Sequence, residues 1–228
     1  MITLLSEPGK LAGVELRVEG DAYRHLFRAR RLAVGERLRV VDGRGRARWG
    51  DVARVERAAA VVALGEPAPA NEPELRVELL AATLRPERAS WLVEKATELG
   101  VFAVRFVHSA RAPRTFGAGT LERLRRVAAA AVEQCHRSRL PDVTGTHAWE
   151  EVAALTAGIA DRRLLDTAAE GSAPPKPGGA VAFLVGPEGG WSPEERADLL
   201  GGGWRAVGLG PRALRSETAA LAGLASLL

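Results

Sequence analysis

The chain has 228 residues, 46% of them hydrophobic, enough for one large domain or two small ones with substantial cores. No apolar run approaches the ~20 residues that span a bilayer. Met1 to Gly13 lacks the pattern of a secretory signal, and the only cysteine, Cys135, excludes an intrachain disulfide and suits a reducing cytoplasm. The formal net charge is +4, and residues 1–70 carry all of it, with 13 Lys and Arg against 9 Asp and Glu; residues 71–228 hold 19 of each.

The first 70 residues read mostly as strands. Residues 21–31 form a short helix carrying Arg24, His25, Arg28, Arg30 and Arg31. Arg37 to Val41 and Arg46 to Val55 flank Asp42-Gly43-Arg44-Gly45, a hairpin signal because Asp-Gly tolerates the turn's positive φ. A small β-barrel with a basic helix is expected here. From Arg24 to Arg57, 11 arginines stand against Glu36, Asp42, Asp51 and Glu56. That surplus points to a polyanion, most simply nucleic acid; the alternative is a solvated, arginine-rich surface. His25, His108, His136 and His147 show no metal-ligand spacing, so no metal is expected.

Pro67 to Pro73, with three prolines, reads as a linker and divides the chain into domains 1–70 and 71–228. Strand and helix then alternate, as in an α/β domain. Leu75 to Leu84 is a strand, and Pro86 opens a helix that Gly100 closes. Val101 to Val107 completes a βαβ unit of parallel strands. Thr120 caps a helix through Gln134. Arg162 to Leu165 and Ala180 to Val185 are strands around a Pro/Gly-rich surface loop from Gly171 to Gly179. Ser192-Pro193-Glu194-Glu195 is a capping-box helix start. Trp204 to Leu209 is a further strand. The last helix, Glu217 to Leu228, is apolar nearly all round, which requires burial in the core or against a second subunit.

Two turns hold the strongest functional signal. Gly186-Pro187-Glu188-Gly189-Gly190 and Gly208-Leu209-Gly210-Pro211 each follow a strand and lead toward a helix, where open α/β sheets bind ligands. Glycines there let the backbone approach a small molecule. Neither G-x-G-x-x-G nor a Walker A loop occurs, which favours a nucleoside-like ligand over a phosphate cradle.

These turns carry a resemblance. Leu184 to Ser192 and Leu209 to Ala219 look like the two C-terminal motifs of the RsmE family, in the SPOUT class of RNA methyltransferases. Glu94-Lys95-Ala96-Thr97-Glu98-Leu99-Gly100-Val101 resembles that family's helix-to-strand junction. Glu133-Gln134-Cys135 with Arg137, Arg139 and Pro141 resembles its central motif, and His25-Leu26-Phe27-Arg28 with Arg30, Arg31 and Gly35 its N-terminal signature. Arg85 departs from the family's frequent lysine, and His136 from a usually smaller residue.

The resemblance implies a PUA-like RNA-binding barrel, a SPOUT domain with a trefoil-knotted, mostly parallel sheet, and a homodimer. It implies S-adenosyl-L-methionine as cofactor and methylation of uridine N3 in 16S ribosomal RNA, as naked RNA or in the assembled small subunit. The cofactor candidates are then Leu165, Asp166, Leu184, Gly186, Pro187, Glu188, Gly189, Gly190, Leu209, Gly210, Leu214, Arg215 and Thr218. Arg215 and Glu217 are the catalytic candidates. Arg215 either stabilises the N3 anion or grips a phosphate. Glu217 either acts as base, holds Arg215, or is a favourable carboxylate in a helix's first turn. His25, Arg28, Arg30, Arg31, Gln134, Arg137 and Arg139 are the RNA candidates. Ribose 2′-O-methylation and a non-enzymatic assembly factor are the rival readings.

Overall fold

Five strands build the first sheet. The structure is a computed structural model that describes residues 1–112, 115–169 and 178–228. Its strands β1 (Thr3–Leu5), β2 (Glu15–Glu19), β3 (Arg37–Val41), β4 (Ala47–Val55) and β5 (Ala59–Pro67) lie in the order β1-β3-β4-β5-β2. The β1–β3 pair is parallel and the others antiparallel. Two register shifts along β4, at Arg48/Gly50 and Val52/Arg54, are of the kind that bends a strand and curls its sheet. The alternation in β2 turns Leu16 and Val18 inward, onto a core with Leu4, Leu38, Val40, Val52 and Val62. The hairpin from β3 to β4 is present: Asp42 Oδ1 accepts from the backbone of Arg44 and Arg46, while Gly43 and Gly45 take positive φ.

The basic helix begins as α1 (Gly20–Tyr23) and widens into a π-type turn over Arg24–Ala29. Its inner face packs Tyr23 on Phe27, with ring centroids 5.5 Å apart. This sheet belongs to a unit made of Met1–Glu72 and Ala129–Leu140. Much of the arginine surplus works inside that unit. Arg39 is 1% exposed, donates to the carbonyls of His136, Arg137, Pro69 and Ala70, and has its pKa lowered by burial. Arg48 donates to four carbonyls, and Arg37 pairs with Asp51 and Glu66.

The second unit, Pro73–Ala128 with Pro141–Leu228, holds a six-stranded sheet. Its strands are β6 (Arg76–Ala82), β7 (Ala103–Val107), β8 (Asp142–His147), β9 (Asp161–Leu165), β10 (Ala180–Val185) and β11 (Arg205–Val207), in the order β11-β9-β10-β6-β7-β8. Every pairing is parallel. The central strands β6 and β10 are almost wholly buried, which explains why they read as continuous apolar runs. The helices are α2 (Pro86–Leu99), α3 (Ala118–Cys135), α4 (Val152–Leu155), α5 (Pro193–Gly201) and α6 (Ser216–Leu227). From Ala129 onward, α3 belongs to the first unit.

Local chemistry predicts several boundaries well. Gly100 ends α2 at φ 102°, donating to Ala96 and Thr97. Ser192 and Glu195 form both bonds of the capping box. Other boundaries differ. α3 starts at Ala118, so Thr120 lies within it, and β11 stops at Val207, leaving Gly208 to Gly210 outside the strand. The edge strand β8 is half polar and has no apolar run to announce it. The expected loop at Gly171 to Gly179 falls, up to residue 177, outside the described residues.

The apolar α6 is only partly covered. It buries Ala220, Gly223, Leu224 and Leu227, and exposes Thr218, Ala222, Ala225 and Ser226. A Cβ on Gly223 would lie well inside van der Waals contact of the Phe183 ring on β10. Gly223→Ala is therefore expected to cost about 1–3 kcal/mol through overpacking, measured as a lower urea midpoint.

Candidate functional site

Three neighbouring strands end together at one edge of the second sheet. Leu165 on β9 pairs with Val207 on β11, and Leu164 pairs with Leu184 on β10. The segments leaving their carboxyl ends enclose a cleft of about 260 Å³, close to the lower end of the roughly 300–1,000 Å³ usual for small-molecule sites. Leu165, Val185, Val207 and Leu209 supply an apolar lining, and the indole of Trp191 forms a side wall.

The wall is cross-tied. Trp191 Nε1 donates to the Leu165 carbonyl at 3.1 Å. Asp166 Oδ1 accepts from the Ala168 backbone at 2.9 Å, and Arg196 Nε reaches Asp166 Oδ2 at 2.6 Å. Ser216 Oγ, in the first turn of α6, donates to the Gly186 carbonyl. The glycines have different reasons to be glycine. A Cβ on Gly186 would lie 2.9 Å from the Trp191 ring, and one on Gly208 would collide with the Ala169 carbonyl. Gly190 and Gly210 have open space but φ of 69° and 94°. Glu194, at the start of α5, has its carboxyl held below the usual range by its own backbone N–H first, then by the Ser192 hydroxyl.

The cleft brings together eight of the expected cofactor residues: Leu165, Asp166, Gly186, Pro187, Gly190, Leu209, Gly210 and Leu214. Five others lie off its lining. Leu184 is fully buried in the core with Leu80, Leu164 and Leu199, because strand alternation turns it away from the cleft that Val185 lines. Glu188 faces outward to an ion pair with Arg88. Gly189 is exposed, its carbonyl accepting from Arg111 Nη1 at 3.0 Å. Thr218 is on the exposed face of α6. Arg215, the residue before α6, is exposed between Leu214 and Ser216, which do line the cleft.

Glu217 is 6% exposed; its Oε1 is 3.6 Å from Arg88 Nη1, and its buried Oε2 has no hydrogen-bond partner. Arg88 thus stands where Arg215 was expected as partner. Ser216, Arg196 and Arg88 were missed by sequence reasoning. Ser216 lies inside the Leu209 to Ala219 motif, and Arg196 one helical turn after the Ser192 cap.

In the first unit, His25, Arg28, Arg30 and Arg31 are all exposed at the basic helix and its exit. Arg28 also donates to the Arg57 carbonyl at 2.6 Å. Gln134 is exposed and Arg139 half-buried, donating to the Arg44 carbonyl. Arg137 is different: it is 3% exposed and binds Glu72, so its guanidinium supports the unit from within. Among the described residues, no group of three or more His, Cys, Asp and Glu is placed to hold a metal ion, and no helix is long and apolar enough to cross a membrane.

A curled, arginine-bearing sheet unit and a parallel α/β unit with a cleft at its strand ends define a two-part, small-molecule-binding architecture. The RNA methyltransferase domain family matches residues 71–228, and the RNA methyltransferase PUA domain matches residues 18–62. Ribosomal RNA small subunit methyltransferase E of Mycobacterium bovis is 33% identical over 236 residues, spanning 92% of this chain and 84% of that protein. The solved structure of ribosomal RNA small subunit methyltransferase E from Neisseria gonorrhoeae, bound to S-adenosyl methionine, is 28% identical and has a TM-score of 0.87, covering 99% of this chain and 94% of that one. The chain belongs to the RNA methyltransferase family that includes ribosomal RNA small subunit methyltransferase E.

Trp191→Phe keeps the aromatic wall but deletes the N–H that reaches Leu165. A loss of about 0.5–1.5 kcal/mol is expected, read from chemical denaturation.

Proposed function

We propose that the chain methylates N3 of a uridine in 16S ribosomal RNA, using S-adenosyl-L-methionine bound in the cleft at the ends of β9, β10 and β11. The cleft carries this reading. Its apolar lining suits an adenine ring, and the glycines at 186, 190 and 210 put backbone without side chains along the lining, where its polar groups can recognise the rest of a nucleoside. The bound cofactor supplies a methyl group on a sulfonium, a good leaving group.

The remaining work falls to positioning and charge. Uridine N3 holds a proton at neutral pH and is a poor nucleophile until it is lost. Arg215, exposed beside two cleft-lining residues, is the proposed catalytic cation, stabilising the N3 anion as it forms. Glu217 is proposed as a positioning residue, since it is buried toward Arg88 in the first turn of α6. The target base must leave its stack to reach the cleft. His25, Arg28, Arg30 and Arg31, with Gln134 and Arg139, are the proposed RNA contacts.

The domain reading, residues 1–70 for RNA and 71–228 for catalysis, the trefoil knot, the homodimer and a cytoplasmic site of action all belong to this proposal. The small-residue face of α6 and the 44% exposed Trp91 on α2 support a subunit contact.

Three results test it. Mass spectrometry of digested RNA, from a strain lacking the enzyme and treated with the protein, is expected to locate the new methyl on uridine N3; a 2′-O-methyl product would overturn the assignment. Arg215→Ala is expected to lower kcat about a hundredfold while cofactor affinity stays within about twofold. Replacing Arg28, Arg30 and Arg31 with Gln is expected to weaken RNA binding and reduce its log-log salt slope by about two to three. An unchanged slope would move the RNA surface elsewhere.

A further inference from the structure

The charged side chains that line the cleft, among the described residues, are Asp166, Arg196 and Arg212. Arg212 is exposed. Asp166 and Arg196 are joined: Arg196 Nε lies 2.6 Å from Asp166 Oδ2, with the Asp166 side chain 8% exposed and that of Arg196 43% exposed. The second carboxylate oxygen is held by the Ala168 backbone N–H, and the Asp166 N–H donates to the Val207 carbonyl on β11. One wall of the cleft therefore contains a carboxylate fixed in place and paired with a cation from α5.

The cofactor and its spent form differ mainly in charge. Methyl transfer turns the sulfonium into a thioether, so S-adenosylhomocysteine lacks one unit of positive charge and one methyl group but otherwise keeps the shape of S-adenosyl-L-methionine. An unpaired carboxylate in the wall would favour the cation, and an unpaired guanidinium would favour the product. We infer that Arg196 is a positioning residue that acts through Asp166. It pins the carboxylate against the segment leaving β9 and cancels its charge, so the cleft recognises the nucleoside by shape and backbone and discriminates weakly between cofactor and product. Turnover then depends on the ratio of the two in solution. This inference rests on the cofactor reading of the cleft.

Calorimetry with both ligands tests it on the whole protein and three variants. In Arg196→Gln the affinity ratio shifts toward S-adenosyl-L-methionine by about three- to tenfold; in Asp166→Asn it shifts by a similar factor toward S-adenosylhomocysteine. Arg196→Lys keeps the charge and holds the ratio within about twofold of the unmodified protein. Thermal unfolding checks that each variant is folded, and Asp166→Asn with Arg196→Lys decides the matter if Arg196→Gln does not fold. A ratio unchanged in both charge-removing variants overturns the inference even if both affinities fall, because a purely structural role weakens both ligands alike. If the unmodified protein binds neither ligand, the cofactor reading itself fails.

Discussion

The candidate site depends on the parallel register of β9 between β10 and β11. Parallel pairing makes all three strands point the same way, and their matched register brings Leu165, Val185 and Val207 to the same edge. Everything else at the cleft hangs from those ends. The glycine turns can face one another only because the strands stop level, and α6 is tied to one of them through Ser216 and Gly186. A register slip in β9 would move Leu165 and Asp166 relative to both partners and dismantle the wall.

The first unit solves a different problem. Its sequence carries a large arginine excess, and composition alone cannot say which guanidinium groups face water. Arg39 and Arg137 are buried, Arg48 spends its donors on carbonyls, and Arg28, Arg30 and Arg31 remain exposed. A buried arginine is costly unless its donors are satisfied; backbone carbonyls take both terminal nitrogens of Arg39, whose Nε alone has no partner, and the Glu72 carboxylate takes Arg137. The basic helix and its exit thus keep a cluster of exposed guanidinium groups, joined along the same stretch by exposed Arg44, Arg46, Arg54 and Arg57.

What the sequence made legible was local. Gly100 as a left-handed helix end, Ser192 and Glu195 as a capping box, and Asp42-Gly43 as a turn each follow from interactions over a few residues, and all are present. The strand runs of β6 and β10 were legible because burial on both faces removes polar residues from them. Through-space relations were not. Strand order 11-9-10 does not follow chain order, so the pairing of Asp166 with Arg196, 30 residues away, left no trace in spacing. Leu184 shows the limit of motif reading: it adjoins Val185, which lines the cleft, yet neighbouring residues of a strand face opposite ways and Leu184 packs into the core.

The segment Ala129–Leu140 has a consequence for how the chain acquires its structure. All five strands of the first unit are complete by Pro67, but Glu72 meets Arg137, Ser138 and Arg139 about 65 residues later, and the Leu5 N–H finds its acceptor only at Glu133. Arg39 likewise waits for the carbonyls of His136 and Arg137. During synthesis, the amino-terminal sheet therefore emerges with a buried cation lacking half of its acceptors and must close a long loop before it is whole. A fragment ending at residue 72 would keep every strand of that sheet and still lack the polar contacts that complete it.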